Sequence, residues 1–279
     1  MQQLSSSSPH FDLADQVAPR PRGFGRSNLL GLWTLYLKEV RRFISVITQT
    51  VMAPMVTALL FLAVFTLALG RGGSAVEGFP YAVFLAPGLI MMTMLQNAFA
   101  NTSSSMVISK VQGNIVDVLM PPLSPAELVL GYAGGGLTRG LLVGCATALA
   151  MRPFVPFGIH DAFFLLYHAA MASLMLSLLG LIGGIWAEKF DHIAAVTNFI
   201  IVPASFLSGT FYAVHNLPGN WVLVAHLNPF FYLIDGFRFG LIGWHDGNLL
   251  VGLLLVATVN AILFLVALRM FSRGYKLKP

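Results

Sequence analysis

The sequence predicts an all-α integral membrane protein; its composition, its long uncharged stretches and the uneven placement of its basic residues lead to this prediction. Of the 279 residues, 57% are apolar and 10% are charged, and the mean hydropathy is +0.78. A soluble domain carries about 25% charged residues, so this chain has too few polar side chains to cover a water-facing surface. The same composition argues against a disordered chain and against nucleic-acid binding, although the net charge is +5.

Six membrane spans are predicted from the apolar stretches, because a helix needs about 20 residues to cross a hydrocarbon core about 30 Å thick. The stretch 128–151 has this length but contains Arg139. The stretch after His192 is too long for one crossing, so we place a span at 193–207 and expect short helices, broken by glycine and proline, in the remainder. The other four spans fall in the uncharged stretches 43–70, 78–109, 162–187 and 247–268.

Six crossings place both chain ends on one side of the membrane, and the positive-inside rule assigns that side to the cytoplasm. Twelve Lys and Arg residues fall on this side and three on the other, with Arg139 inside the membrane. Residues 1–28 contain no apolar run, so we expect a polar cytoplasmic tail and not a signal peptide. Residues 29–279 are expected to form one membrane domain.

The segment before the first span has the pattern of an amphipathic helix. Leu29, Trp33, Tyr36 and Val40 recur at helical spacing and give the helix one apolar face. Such a helix typically lies in the plane of the membrane interface. It is either the snorkelling flank of the first span or a docking surface for a cytoplasmic partner. Its charged residues are Lys38, Glu39, Arg41 and Arg42.

The second loop, residues 110–127, is predicted to contain a short helix, a rigid stop and the start of a new helix, all on the cytoplasmic side. Pro121 and Pro122 end any helix that precedes them. The new helix begins with a capping-box pattern, in which Ser124 caps, a proline follows and Glu127 stands three residues after the cap. The short helix contains Asp117 and three apolar residues at helical spacing, Ile115, Val118 and Leu119.

Three features inside the spans suggest more than lipid contact. Arg139 is costly in a membrane, so it is a functional or architectural residue unless it snorkels to the head groups. In the second span, Asn97, Asn101 and Ser104 or Ser105 share one face, which either bonds to neighbouring helices or lines a wet path. Glycines of the third span recur every four residues and favour close packing, within the chain or against a second copy. They are Gly131, Gly135, Gly136, Gly140 and Gly144.

Between the fifth and sixth spans, residues 206–238 are predicted to form two short helices that dip back into the outer interface. Asp235 and Arg238 stand three residues apart on one helix face, where they can neutralise each other. The aromatic residues of the region form either an ordinary interfacial belt or a gate at the outer mouth. They include Tyr212, Phe230, Phe231 and Tyr232.

Motifs of enzyme chemistry are absent from the sequence. No lysine follows a glycine, which excludes the phosphate-binding loop of nucleotide hydrolases. The seven histidines lack the spacing of a metal site, and neither a nucleophile elbow nor a spaced carboxylate pair indicates a hydrolase. We therefore predict no catalytic residues and no metal site, and the single cysteine, Cys145, excludes an intrachain disulfide.

From about Leu29 to its end, the chain resembles the type 2 ATP-binding-cassette exporter permeases, a family of drug, polysaccharide and lipid-linked glycan exporters. Three segments carry the resemblance: residues 113–124, the Arg-Gly third span at 138–144, and the outer region at 206–238. Within the first segment, Asn114 stands where the family often has threonine, and Val116 stands where an acidic residue is common.

The resemblance implies a half-transporter in the bacterial inner membrane. Two copies of the chain would form the pathway, and each would seat a separate cytoplasmic ATPase that binds ATP and Mg, so the chain itself would bind no cofactor. The residues implied in coupling to the ATPase are Lys38, Glu39, Arg41, Arg42, Gln112, Gly113, Asp117, Val118, Leu119 and Pro122. Those implied in the pathway or gate are Asn97, Asn101, Arg139, Tyr212, Phe230, Phe231, Tyr232, Asp235 and Arg238.

Two other classes of protein have requirements that the sequence does not meet in full. An ion-coupled secondary transporter or a channel would need a midspan ionisable residue, and only Arg139 qualifies, without an intramembrane acid beside it. A membrane-embedded enzyme would need a nucleophile or a set of metal ligands, which the sequence does not offer.

Overall fold

A computed structural model describes residues 28–69, 75–76 and 78–277, so nearly all of the predicted polar tail lies outside the described residues. Short π-helical segments, Thr48–Met52 and Thr197–Ile201, join some of the helices, and two-residue strands, β1 (Ala75–Val76) and β2 (Phe79–Pro80), pair antiparallel. The α-helices are α1 (Leu29–Ile44), α2 (Ala53–Leu69), α3 (Tyr81–Val111), α4 (Ile115–Leu119), α5 (Pro125–Met151), α6 (Ala162–Trp186), α7 (Phe190–Val196), α8 (Val202–Phe206), α9 (Trp221–Leu227), α10 (Pro229–Ile242) and α11 (Leu249–Arg273).

Five helices of the described part are long and apolar enough to cross a membrane, which confirms an all-α membrane protein. The fifth predicted span, 193–207, coincides with a shorter apolar helix, Phe190–Phe206, which includes one of the π-helical segments. The five long helices are Thr48–Ala68, Tyr81–Val111, Pro125–Met151, Ala162–Trp186 and Leu249–Arg273.

The start of α5 matches its predicted capping box. The Ser124 hydroxyl accepts a hydrogen bond from the backbone N–H of Glu127 at 3.3 Å, and the Glu127 carboxylate accepts one from the Ser124 N–H at 2.7 Å. Pro125 occupies the first helical position, where its missing N–H has no cost. The double proline before it separates α4 from α5, as the sequence predicts.

Helix α3 is the centre of the bundle, since most of its side chains are buried, and it packs against α2, α5, α6 and α10. Glycines of α5 bring α6 close: a Cβ added at Gly136 would collide with Ser177, and one added at Gly140 would collide with Ser173. Because these glycines face neighbours within the same chain, the structure favours close packing inside the chain over a seam with a second copy.

The helix ends fall into two groups at opposite ends of the bundle. At one end the cluster of buried side chains includes Leu35 of α1, Val118 of α4 and Phe271 of α11. At the other end the Tyr81 hydroxyl donates to the carbonyl of Phe211 at 3.0 Å, and the loop before α6 donates to the carbonyl of Gly240 in α10. The second predicted loop therefore lies at the end of the bundle opposite to α9 and α10.

Candidate functional site: the α1–α4 surface

Helix α1 packs along α5, where the expectation was a helix resting in the interface plane. A Cβ added at Gly131 would meet the Leu35 side chain at 2.7 Å, and one added at Gly135 would meet Glu39 at 2.5 Å. The Tyr36 and Thr138 hydroxyls share a hydrogen bond of 3.0 Å. The first glycines of α5 therefore form a shallow face against which α1 lies for about three turns.

The start of α1 is bonded to the loop that follows α4. The backbone N–H of Asn28 donates to the Glu127 carboxylate at 2.5 Å, and the Asn28 side-chain amide donates to the carbonyl of Pro122 at 3.3 Å. A Cβ added at Gly31 would meet the Leu123 side chain at 2.7 Å, so the two segments are also in close van der Waals contact. The beginning of α1, the proline stop and the cap of α5 are thus fastened together.

A buried polar network joins α1 to α3. The Glu39 carboxylate, which is 0% exposed, forms a salt bridge of 3.3 Å with Arg42 and accepts a hydrogen bond from the Ser105 hydroxyl at 2.7 Å. Arg42 also donates to the backbone carbonyl of Asn101 at 2.6 Å, to its side-chain oxygen at 3.0 Å, and to the Ser104 hydroxyl at 3.3 Å. The polar stripe of α3 therefore bonds to a neighbouring helix, one of the two alternatives that the sequence left open.

This network corrects the expectation that all four charged residues of α1 receive a partner through their charges. Glu39 is fully buried and the Arg42 guanidinium is hydrogen-bonded to α3, so these two residues hold α1 against its neighbours. Lys38 and Arg41 are exposed, and among the described residues neither has a salt-bridge or side-chain hydrogen-bond partner. The charge that α1 presents to its surroundings is therefore the positive charge of Lys38 and Arg41.

Helix α4 has an exposed outer face, and sequence analysis identified only some of the residues on it. Gly113 adopts φ +75, a left-handed conformation that favours glycine, and turns the chain from α3 into α4. Of the three α4 residues implied in coupling, Asp117 and Leu119 are exposed, but Val118 is 8% exposed and points into the bundle, so it cannot contact a partner directly. Sequence reasoning missed the neighbours that share the outer face, Val116 at 47% and Met120 at 76% exposed.

A groove of about 650 Å³ separates α1 from α4. Its walls include Lys38 and Leu35 on one side and Asp117 and Pro122 on the other, with Gln112 at the turn between α3 and α4. We define the α1–α4 surface as this groove together with the exposed side chains around it. Those side chains are Lys38, Arg41, Gln112, Val116, Asp117, Leu119 and Met120.

Lys110 fastens the end of α3 to the end of α6. Its ammonium donates to the carbonyls of Ile185 and Ala187 at 2.7 and 2.6 Å, where the helix leaves carbonyl groups without partners. Nearby, Lys276 forms a salt bridge of 2.7 Å with Glu188, and this partner lowers the pKa of the Glu188 carboxyl. The cytoplasmic loops predicted from the sequence are therefore bonded to one another on this end of the bundle.

Of the predicted pathway residues, Asn97 and Arg139 lie together between α3 and α5. The Arg139 guanidinium donates to the side-chain oxygen of Asn97 at 2.9 Å and is half-buried. Arg139 thus has a partner within the chain, as an architectural residue requires. Whether the pair also contacts cargo stays a prediction.

The aromatic residues predicted to form a gate lie mostly in the core. Phe230, Phe231 and Tyr232 are 5%, 1% and 9% exposed and belong to the main cluster of buried side chains, whereas Tyr212 is half-buried. In this chain the first three rings pack α10 against its neighbours and do not border an open mouth. Their role in gating stays a prediction, and it requires α10 to move as a unit.

Asp235 and Arg238 lie close enough to stabilise each other's charge through space, as predicted, but no salt bridge or hydrogen bond joins them. The Asp235 carboxylate accepts from the backbone N–H groups of Asp246 and Gly247 at 2.7 and 3.0 Å. Arg238 donates to the carbonyl of Gly209 at 2.7 Å, and its guanidinium lies 4.1 Å from the centre of the Phe84 ring. Each charge instead binds α10 to a different neighbouring segment.

Within residues 28–69, 75–76 and 78–277, no group of three or more His, Cys, Asp or Glu side chains is arranged to hold a metal ion. The α1–α4 surface offers exposed apolar side chains, a carboxylate and two cations that have no salt-bridge partner among the described residues; these suit contact with another protein.

Residues 31–242 match the family model described as ABC-2 type transporter. The chain is 34% identical over 249 residues to the inner membrane transport permease YadH of Escherichia coli (strain K12), an alignment that covers 89% of this chain and 97% of that protein. It is 25% identical over 179 residues to nodulation protein J of Sinorhizobium fredii (strain NBRC 101917 / NGR234), with 63% of this chain and 68% of that protein covered. The family match includes α1 from Gly31 onward, all of α4 and the exposed side chains of the α1–α4 surface. The chain therefore belongs to the ABC-2 type transporter family and is a membrane transport permease.

Proposed function

We propose that this permease is the membrane subunit of an ATP-driven exporter, and that a separate cytoplasmic ATPase docks on the α1–α4 surface. Two copies of the chain would form the pathway, and each would seat one ATPase subunit. ATP and Mg would be bound by the ATPase and not by this chain. The exposed outer face of α4, whose following loop is bonded to the start of α1 and leads into the cap of α5, is the observation that carries the proposal.

The hydrogen bonds of Asn28 support the proposal that movement of α4 is transmitted to the other helices. A force on α4 acts through the proline stop on Pro122, whose carbonyl is bonded to Asn28, and on the cap of α5, whose Glu127 is bonded to the same residue. Helix α1 is in turn bonded through Arg42 to Asn101 of α3. Displacement of α4 would therefore move α1, α3 and α5 together, because none can shift alone without breaking these buried and partly buried hydrogen bonds.

The charges of the α1–α4 surface support a protein partner with an acidic contact region. Lys38 and Arg41 are exposed cations without salt-bridge partners in the described part of the chain, while Asp117 is the exposed acid of α4. The exposed apolar side chains Val116 and Met120 flank Asp117 and would be covered by the ATPase. An apolar centre with charged residues at its edge is typical of a specific protein interface.

We propose six spans, with Phe190–Phe206 as the fifth. This helix begins beside the end of α6, where the Trp186 and His192 rings lie 5.4 Å apart. It ends near the opposite end of the bundle, where Phe206 stacks on Phe211 at 5.0 Å. Seventeen helical residues extend about 25 Å, enough to cross a slightly thinned bilayer. On this arrangement both chain ends are cytoplasmic in a bacterial inner membrane, and α9 and α10 dip into the outer interface.

The ion-coupled alternative gains no support from the buried acid of α1. Glu39 is already bonded to Arg42 and Ser105, so its carboxylate is occupied in this conformation. A carboxylate that binds a coupling ion would need free oxygen atoms facing a water-accessible cavity.

The test replaces Asp117 and Leu119 together by alanine and measures ATP hydrolysis in the complex reconstituted with its ATPase. We expect the double variant to assemble as a membrane domain, because both side chains are exposed, but to lose most of the coupling between transport and hydrolysis. Arg269→Ala, an exposed residue of α11 near the same end of the bundle, is the matched control and should leave coupling unchanged. Export and ATPase stimulation equal to the unsubstituted complex would refute the proposed docking site.

A further inference from the structure

An apolar groove of about 430 Å³ opens between α5 and α6, at the opposite half of the bundle from the α1–α4 surface. Helices α3 and α10 form its floor, with Ile90 and Phe237 among the side chains that line it. Leu149 and Leu166 stand at its rim and are 69% and 68% exposed. The groove is therefore open at the side of the protein, where the membrane lies, and not along a central pathway within the chain.

The length of the groove matches one leaflet of a bilayer. Along α5 its lining extends from Leu141 to Arg152, which are eleven residues apart. At 1.5 Å per residue this is about 16 Å, close to half of a hydrocarbon core about 30 Å thick. An acyl chain that entered from the side would lie along the groove with its head group beside the end of α5.

One cation stands at that end of the groove. Arg152 is exposed, follows the last residue of α5 and lines the groove. Its backbone N–H donates to the carbonyl of Ala148, but its guanidinium forms no hydrogen bond, ion pair or ring contact with any described residue. Apart from Arg152 and Cys145, apolar side chains and glycines line the groove. A single unpaired cation at the head of an otherwise apolar groove is complementary to an amphiphile with one anionic head and an apolar tail.

We propose that this groove binds an acyl chain of an anionic phospholipid, with the lipid phosphate on the Arg152 guanidinium. On the topology proposed above, the lipid belongs to the outer leaflet. The bound chain would cover the exposed leucines of the rim, and the phosphate would provide the acceptor that the Arg152 guanidinium lacks among the described residues. The site is separate from the ATPase contact, so it can be tested without the ATPase.

The experiment uses two photoreactive lipids that carry a diazirine in the acyl chain, one a phosphatidylglycerol and the other a phosphatidylcholine. The purified protein in nanodiscs is irradiated with each, and the labelled peptides are identified by mass spectrometry. We expect phosphatidylglycerol to label residues 141–152 and 165–169 several-fold more than phosphatidylcholine does. The exposed faces of α2 and α11 provide an internal reference, since ordinary lipid contact should label them equally with both lipids.

Substitution of the cation separates this site from general lipid contact. Arg152→Gln should reduce phosphatidylglycerol labelling of the groove about fivefold, as expected for loss of one basic contact to an anionic lipid. Arg152→Lys should retain most of the labelling, and Arg269→Gln, which changes an exposed arginine outside the groove, should retain all of it. Equal labelling by the two lipids, or unchanged labelling in Arg152→Gln, would overturn the proposal. Melting temperatures of the variants identify any loss that comes from misfolding.

Discussion

Replacement of Gly135 by alanine tests whether α1 is seated on α5 as the structure describes. The added Cβ would lie 2.5 Å from the Cβ of Glu39, a side chain that the salt bridge with Arg42 and the Ser105 hydroxyl hold in place. Relief of such a contact by movement of a packed helix costs about 1–3 kcal/mol. Alanine also stabilises a helix by about 1 kcal/mol relative to glycine, so the net loss of stability is about 0–2 kcal/mol.

Gly183→Ala is the matched control for this prediction. Gly183 is also a glycine within a long helix, but an added Cβ would meet its nearest neighbour, Ile193, at 3.7 Å, which is an ordinary contact. The control should therefore gain about 1 kcal/mol from helix propensity alone. The two variants should differ by about 1–3 kcal/mol.

Thermal unfolding of the purified protein in one detergent measures the difference. With about 2–4 °C per kcal/mol for a chain of this size, Gly135→Ala should melt about 2–12 °C below Gly183→Ala. Equal melting temperatures would refute the close seating of α1 on α5. Such a result would also remove the basis for joint movement of these helices.

Three further predictions concern bonds at the end of the bundle that carries the α1–α4 surface. Glu39→Ala should destabilise the protein by about 1–3 kcal/mol, because it leaves the partly exposed Arg42 without its carboxylate. Lys38→Ala changes an exposed side chain and should alter the stability measured by thermal unfolding by less than about 0.5 kcal/mol. Equal losses of stability in the two variants would contradict the network around Glu39. Glu127→Ala should lower the free energy of unfolding by about 1–2 kcal/mol and speed up amide hydrogen exchange at residues 28–31, because it removes the acceptor of the Asn28 and Ser124 backbone N–H groups. Unchanged exchange at these residues would contradict this prediction. Because the hydrogen bond from Lys276 lowers the pKa of Glu188, their pair should persist at neutral pH and break only as pH falls through that lowered pKa. Amide hydrogen exchange at residues 274–277 should therefore become faster at acid pH in the unsubstituted protein. In Lys276→Gln it should already be faster at pH 7. Exchange at these residues that does not change with pH in the unsubstituted protein, beyond the intrinsic pH dependence of exchange, would contradict the pair.

The sequence located the elements well where a local signal defines them. The cap at Ser124 and Glu127 and the double proline before it are short-range patterns, so the boundary between α4 and α5 followed from the residues alone. Composition and the length of apolar stretches likewise indicated the membrane class and the long helices.

The sequence was less informative about which face of a helix meets another. Charged residues of α1 were expected on its outer face, but Glu39 and Arg42 face α3 because Asn101, Ser104 and Ser105 supply partners there. The polar stripe of α3 was visible in the sequence. Its partner was not, because the pairing joins residues about 60 positions apart.

For the short helices, too, the sequence did not show which side chains face the core. In α4 the apolar residues at helical spacing suggested a single face in contact with a partner. In the structure Val118 packs into the bundle, and Met120, which directly follows α4, is exposed. Around α10, aromatic residues fit a belt, a gate or a core equally well by composition, and only packing places Phe230 and Phe231 in the core.

Site-directed cross-linking tests most directly the claim that the outer face of α4 meets the ATPase. In a chain whose native Cys145 is replaced by alanine, single cysteines are introduced at Met120, which points outward, and at Val118, which points into the bundle. A short thiol-to-amine cross-linker is then added to the assembled complex. We predict that the cysteine at 120 cross-links to the ATPase and that the cysteine at 118 does not; absence of any ATPase adduct at 120 in a complex that hydrolyses ATP would contradict the claim.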